Sequence, residues 1–217
     1  MLGRTALAAS LVALSLSALV THAQPALRVF PLRVQIARDA DGSSAPITDD
    51  AWLSAQVASA NEIFAPHGVG FVVDSRAPLP DAHARLETRA DRHALGARLD
   101  PSRIDWFVVR SLRDVDDPSQ MRRGVHWRPA GRPGAHFVIV SAIWGPTVLA
   151  HELGHYFGNP HSSTPGNIMS YERGDVPPFF DAPQSRRIAR FASRFARERA
   201  PAPIDRDASD TLPPEAR

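Results

Sequence analysis

His151-Glu152-Leu153-Gly154-His155-Tyr156-Phe157-Gly158-Asn159-Pro160-His161 reads H-E-x-x-H-x-x-G-x-x-H. A helix over residues 147–157 puts His151 and His155 four positions apart, about 40° round the axis and one turn up, so both imidazoles face the same way. Two rings so placed can share one metal ion. Glu152 stands about 100° further round, beside such an ion rather than on it, where a general base belongs. Gly158 lets the chain turn sharply, because glycine enters left-handed conformations without a Cβ clash. The turn returns His161 as a third nitrogen. Three protein nitrogens leave one coordination position open, the signature of a catalytic rather than a structural zinc.

On these residues the chain resembles the metzincin clan of zinc peptidases. Its second hallmark, a methionine turn beneath the metal, matches Ile168-Met169-Ser170-Tyr171. Met169 falls eight residues after His161, a short connection like that of the matrixins, and Ser162 after the third histidine is matrixin-like too. Tyr171, two beyond the methionine, instead resembles astacins and serralysins, in which that tyrosine can approach the zinc. The resemblance implies an α+β, zincin-like fold. It would have a twisted mixed sheet of about five strands, a support helix, a zinc-binding helix and a small C-terminal subdomain with one helix. It also implies that Met169 forms an apolar floor under the imidazoles and does not bind the metal. The layout covers residues 30–198 and the motifs only 147–171.

The chain has 217 residues, 43% hydrophobic, enough for one domain with a proper core. A net charge of +2 gives no argument for nucleic acid or a membrane surface as partner. All 25 basic residues are arginine, which reads as codon bias. Residues 1–23 have the form of a signal peptide. Arg4 supplies the n-region, an apolar run follows, and Thr21-His22-Ala23 offers a cleavage site. The expectation is a secreted or periplasmic monomer, with no membrane attachment once that segment is removed. No cysteine occurs, so disulfides and thiolate ligands are excluded.

Residues 32–38 (LRVQIAR) alternate as a strand. Asp39-Ala40-Asp41-Gly42-Ser43 reads as a polar turn leading to a Thr48 helix cap. A calcium loop is the weaker alternative, because glycine is missing at its sixth place and Pro46 stands at its eighth. Leu53, Val57, Ala60 and Phe64 stripe a helix over 49–65 that ends at Pro66. Residues 69–73 read as a strand, 81–98 as a polar helix weakened by Gly96, and 104–109 as a central strand. Asp114, Asp116 and Asp117 read as solvated loop charge. Residues 124–127 before Pro129 read as an edge strand, and 136–141 as a strand leading through Pro146 into the metal helix. Asp181 with Gln184 resembles a capping box, opening a helix that carries Ile188, Phe191, Ala192 and Phe195. Its arginines read as a solvated face. Residues 199–217 read as a disordered Pro-rich tail.

His67, His83 and His93 lack ligand spacing, His136 reads as a strand residue, and His126 as structural or solvent-facing. The expected activity is hydrolysis of peptide bonds. One Zn2+ sits on His151, His155 and His161, Glu152 is the general base, and Tyr171 is placed to hydrogen-bond the oxyanion. The wall from 171 to 180 is expected to receive the side chain after the cleaved bond. Two other readings share these residues: an exported zinc amidase, and a non-catalytic zinc-binding adhesion domain that would have no need of Glu152. Between the cleavage site and the first strand, residues 24–31 hold no Cys, His, Asp or Glu. An N-terminal lock on the zinc is therefore not expected, which leaves restraint to a separate protein inhibitor or to the acidic residues of the tail.

Overall fold

Ile104, Trp106 and Val108 point to one side of their strand, and Phe107 and Val109 to the other, so β4 (Ile104–Val109) needs cover on both faces. It has it: every residue of β4 is buried. The structure, a computed structural model, describes residues 27–39, 45–142 and 144–204. The signal peptide over 1–23, most of the 39–43 turn with its calcium alternative, and the tail from 205 lie outside the described residues.

Among the described residues a five-stranded sheet runs in the order β2–β1–β4–β7–β6. Its strands are β1 (Arg28–Ile36), β2 (Val69–Pro78), β4, β6 (Gly124–Trp127) and β7 (Phe137–Ser141). All neighbours are parallel except β6, which runs antiparallel to β7 at the end of the sheet. One face carries helix α1 (Asp50–Phe64) and helix α3 (Val148–Tyr156), which pack on each other. The other face is closed by Leu79, Leu86, Leu95 and Leu112 against Phe107, Phe137 and Ile139. This mixed architecture, mostly parallel with a few helices, agrees with the α+β expectation at that level.

Several boundaries differ from the sequence reading. β1 starts at Arg28 rather than at residue 32 and includes Pro31. β1 meets β4 only from Leu32 onward, so Pro31 lies where one edge alone is paired and its missing donor is tolerated. Asp49, not Thr48, caps α1; its carboxylate accepts the Trp52 N–H at 2.8 Å. The polar helix over 81–98 is not continuous. Leu86 is needed in the second core, so the chain breaks into the 3₁₀ turn Asp81–His83, strand β3 (Arg85–Leu86), helix α2 (Arg89–Ala94) and the 3₁₀ turn Leu95–Arg98. β3 pairs with β5 (Ser111–Leu112) in a separate two-stranded sheet. Pro146 stands just ahead of the Thr147 cap rather than in the first turn of α3.

Helix α4 (Ala182–Glu198) opens with the expected capping box. Asp181 accepts from Gln184 N–H, and the Gln184 side chain accepts from Asp181 N–H, both at 2.8 Å. The tail does not begin at 199. Ala202 N–H donates to Ser102 O at 3.0 Å and Ile204 bridges Val29 in β1, because β1 still has main-chain groups to satisfy there. No helix among the described residues is long and apolar enough to cross a membrane.

Candidate metal centre

Nine residues of α3 carry two of the three histidines, and the surroundings fix how they point. Val148, Leu149, Ala150, Leu153 and Tyr156 face inward and are buried. Their burial turns the His151 and His155 side of the helix toward a cleft of about 550 Å³. The helix start is held from outside. The Thr147 side chain makes no cap bond; buried Gln56 on α1 does the work, accepting Leu149 N–H at 3.1 Å and donating to Gly145 O at 2.9 Å. At the far end Phe157 packs edge-on to Phe30, Phe71 and Phe195, with centroids 5.5–6.0 Å apart.

Gly158 then takes φ +83°, as the motif requires, and a Cβ there would sit 2.5 Å from Phe191. The turn delivers His161, and ring nitrogens of His151, His155 and His161 come within 4.8 Å of one another. His151 Nδ1 lies 2.7 Å from Ile168 O, and His155 Nδ1 lies 2.7 Å from Asn159 O. A carbonyl can only accept, so each Nδ1 carries the proton and each Nε2 is left with a free lone pair. His155 Nε2 is 3.0 Å from His161 Nε2. Two ring lone pairs at that separation call for a shared cation or proton. Burial lowers the pKa of all three rings, that of His155 to about 4, so they are neutral ligands at pH 7. The donor set therefore fits a borderline cation such as zinc.

Glu152 is buried beneath this group, and burial pushes its carboxyl up to about 8 against the lowering effect of the His126 N–H. Space for it depends on Gly124, the first residue of β6. A Cβ there would come within 2.8 Å of Glu152 Cγ and Val148 Cγ1. Glycine opening a strand is a signal for such close approach, and the sequence reading passed over it. Gly154 is a second case: any Cβ would overlap Met169 Sδ and lie 3.2 Å from Met169 Cε. Met169 is fully buried against α3, as the methionine-turn resemblance implies. The turn is tied to α4 by reciprocal amide bonds, Asn167 Nδ2 to Gln184 Oε1 at 2.8 Å and Gln184 Nε2 to Asn167 Oδ1 at 3.1 Å. The capping-box glutamine thus also clamps the turn. Tyr171 is 71% exposed, yet its hydroxyl lies 2.9 Å from His161 Nε2.

Among the described residues His126, His136 and His93 are tied into the packing. His126 does not face solvent: its Nε2 is 2.8 Å from His136 Nδ1, and His136 stacks on Tyr156 with centroids 3.8 Å apart. Burial lowers the pKa of both. His93 Nδ1 accepts from Trp127 Nε1 and Ala130 N, latching β6 to α2. Asp114 is not solvated charge. It is buried, pairs with Arg122 at 2.5 Å and accepts Asp116 N–H at 2.9 Å.

Neither a family model nor a curated protein matches the sequence. Solved structures do match, 81 chains in all. One belongs to a structure described as that of a chaperone-substrate complex. It superposes with a TM-score of 0.50 at 11% identity, over 80% of this chain and 35% of that one. The chain thus spans about a third of that neighbour's length. At this identity the likeness concerns the fold alone.

Proposed function

We propose that this chain is an exported zinc endopeptidase of the metzincin type, acting on peptides or proteins by metal-assisted hydrolysis. One observation carries the reading. Two helical imidazoles have Nδ1 committed to main-chain carbonyls, so both Nε2 atoms converge with His161 beside the buried carboxyl of Glu152. The sheet order with its single antiparallel edge, the Met169 turn under α3 and the left-handed Gly158 support the metzincin assignment. His151, His155 and His161 would hold the ion. Zinc bound there supplies Lewis acidity toward a carbonyl and lowers the pKa of water to ~7.

Glu152 accepts a proton from the attacking water and delivers it to the leaving amine. Burial raises its pKa, and a dication held by the three histidines would favour the anionic form that a general base needs. The Tyr171 hydroxyl, next to His161, is within reach of a developing oxyanion. β6 pairs with β7 alone among the described strands, which leaves its outer edge for an extended substrate to join.

The decisive experiment is Glu152→Ala assayed on a quenched peptide library, alongside metal analysis. The variant should retain one zinc per chain and lose hydrolysis by at least about 10³-fold. A variant as active as the parent removes Glu152 as the base. A zinc-loaded parent that cuts nothing points to the adhesion domain, and one that cuts only short amides points to the amidase.

A further inference from the structure

The cleft carries positive charge that its own walls leave unmatched. Arg122, Arg123 and Arg173 line it and are all exposed. The first two lead into β6, and the third lies two residues after Tyr171. Arg122 is anchored twice: its N–H donates to Leu112 O at 2.7 Å, and its guanidinium pairs with Asp114. The Arg123 guanidinium carbon lies over the Trp144 ring, 4.5 Å from its centroid, which holds the plane of the group while its N–H fork can still donate at the edges. Arg173 reaches Thr147 Oγ1 at 3.5 Å. The described partners of Arg123 and Arg173 are thus a ring and a hydroxyl, not a carboxylate. The acids of the lining are already engaged. Asp114 serves Arg122, Asp116 pairs with Arg89, and Glu152 is buried. Glu172 and Asp175 share the Arg173 loop and do not line the cleft. With a net charge of only +2 over the chain, this concentration is local.

We propose that the cleft selects acidic peptides, with Arg123 and Arg173 receiving carboxylates from residues that flank the scissile bond. The inference rests on the peptidase reading for the word scissile, but its electrostatics stand independently of hydrolysis. Arg122, neutralised by Asp114, serves as a fixed donor at the entrance to β6. Arg123 and Arg173 are the specificity determinants.

Three fluorescent peptides, identical except for Glu, Gln or Arg at the flanking positions, test this by anisotropy on the zinc-loaded full chain carrying Glu152→Ala. The Glu peptide should bind about tenfold more tightly than the Gln peptide and the Arg peptide more weakly still. The preference should fade at about 0.5 M salt. Adding Arg123→Glu with Arg173→Glu should invert the order, with thermal melting as a check that the fold is kept. Equal binding of the Glu and Gln peptides overturns the proposal, and so does a Glu preference that survives charge reversal. Cleavage by the chain with Glu152 intact separates the two readings. A Glu preference in binding with no cleavage sustains the charge selection and removes the peptidase. Cleavage with no Glu preference in binding does the reverse.

Discussion

The candidate metal centre has two halves built by different means. His151 and His155 stand on α3, half-buried, each with Nδ1 fixed by a main-chain carbonyl and with a helix face locked into the core. His161 and Tyr171 are exposed, on a segment without helix or strand between α3 and α4. That segment is held by the Gly158 turn, by Ser162 N–H to Met169 O at 3.0 Å and by the Asn167–Gln184 clamp. The helical half has lost its rotamer freedom to packing before any metal arrives. The exposed rings of His161 and Tyr171 would lose theirs on binding, at a cost on the order of 1 kcal/mol per side chain. The metal-poor form should therefore resemble the loaded form in α3 and in the buried turn at Asn167–Met169, and differ from it at His161 and Tyr171.

The largest effects should fall on metal affinity. His151→Ala removes a preorganised ligand and should abolish stoichiometric zinc. His161→Ala should weaken binding sharply yet leave a two-histidine site that still takes zinc at high concentration. Equal losses in a chelator competition would break the distinction between the halves.

Acid sensitivity should come from the buried side. Burial lowers His155 to about 4 and His136 to about 3, while the unfolded chain titrates near 6.5. Above pH 6.5 both states hold neutral rings and this contribution is complete. As pH falls below 6.5 the unfolded chain takes up protons that the native chain refuses, so stability is lost. For buried His136 the loss by pH 4 is on the order of 3 kcal/mol. In chelator, Tm should decline steadily from pH 6.5 to 4, and His136→Gln should flatten that decline more than His161→Gln. A Tm that stays level to pH 4 would remove the argument.

Gly154→Ala should lower stability by about 1–3 kcal/mol through overpacking against Met169. Met169→Ala in the same chain should recover part of that loss, as thermal melting would record. No recovery would separate the methionine turn from the helix it is held to support. Tyr171→Phe should be the mildest change. Its kcat should fall about tenfold with KM nearly constant, because the hydroxyl acts on developing charge. An unchanged kcat would make Tyr171 a structural member of the exposed half.

Much of the fold was legible before any coordinates. The apolar run in 104–109 and the 3.6-residue stripe on α1 are local patterns, the first kept with its bounds and the second with a small shift. The failures share a cause. Residues 81–98 read as one polar helix, but the demand of Leu86 for the second core breaks it into four short pieces. Residues 28–31 stand ahead of the first strand in the sequence reading, and only the sheet shows them paired with β2, with Pro31 at a position that β4 does not reach. At the site, His151, His155 and Glu152 were legible from helical spacing, His161 from the glycine turn that precedes it, and Met169 from the resemblance to the metzincin clan.

Gln56, Gly124, the Gln184 clamp and the arginines of the cleft walls were not legible in that way. Gln56 meets α3 across 93 positions and Gly124 meets Glu152 across 28, and no local pattern encodes such a meeting. The sequence by itself determined which atoms can hold and use a metal, because that depends on residue type and helical pitch. Only the tertiary structure decided that Nδ1 is spent on carbonyls, that Glu152 has a dry space to occupy, and that the walls around it bear unpaired positive charge. Each of those depends on burial and on partners brought from distant segments, and a chain acquires both only on packing.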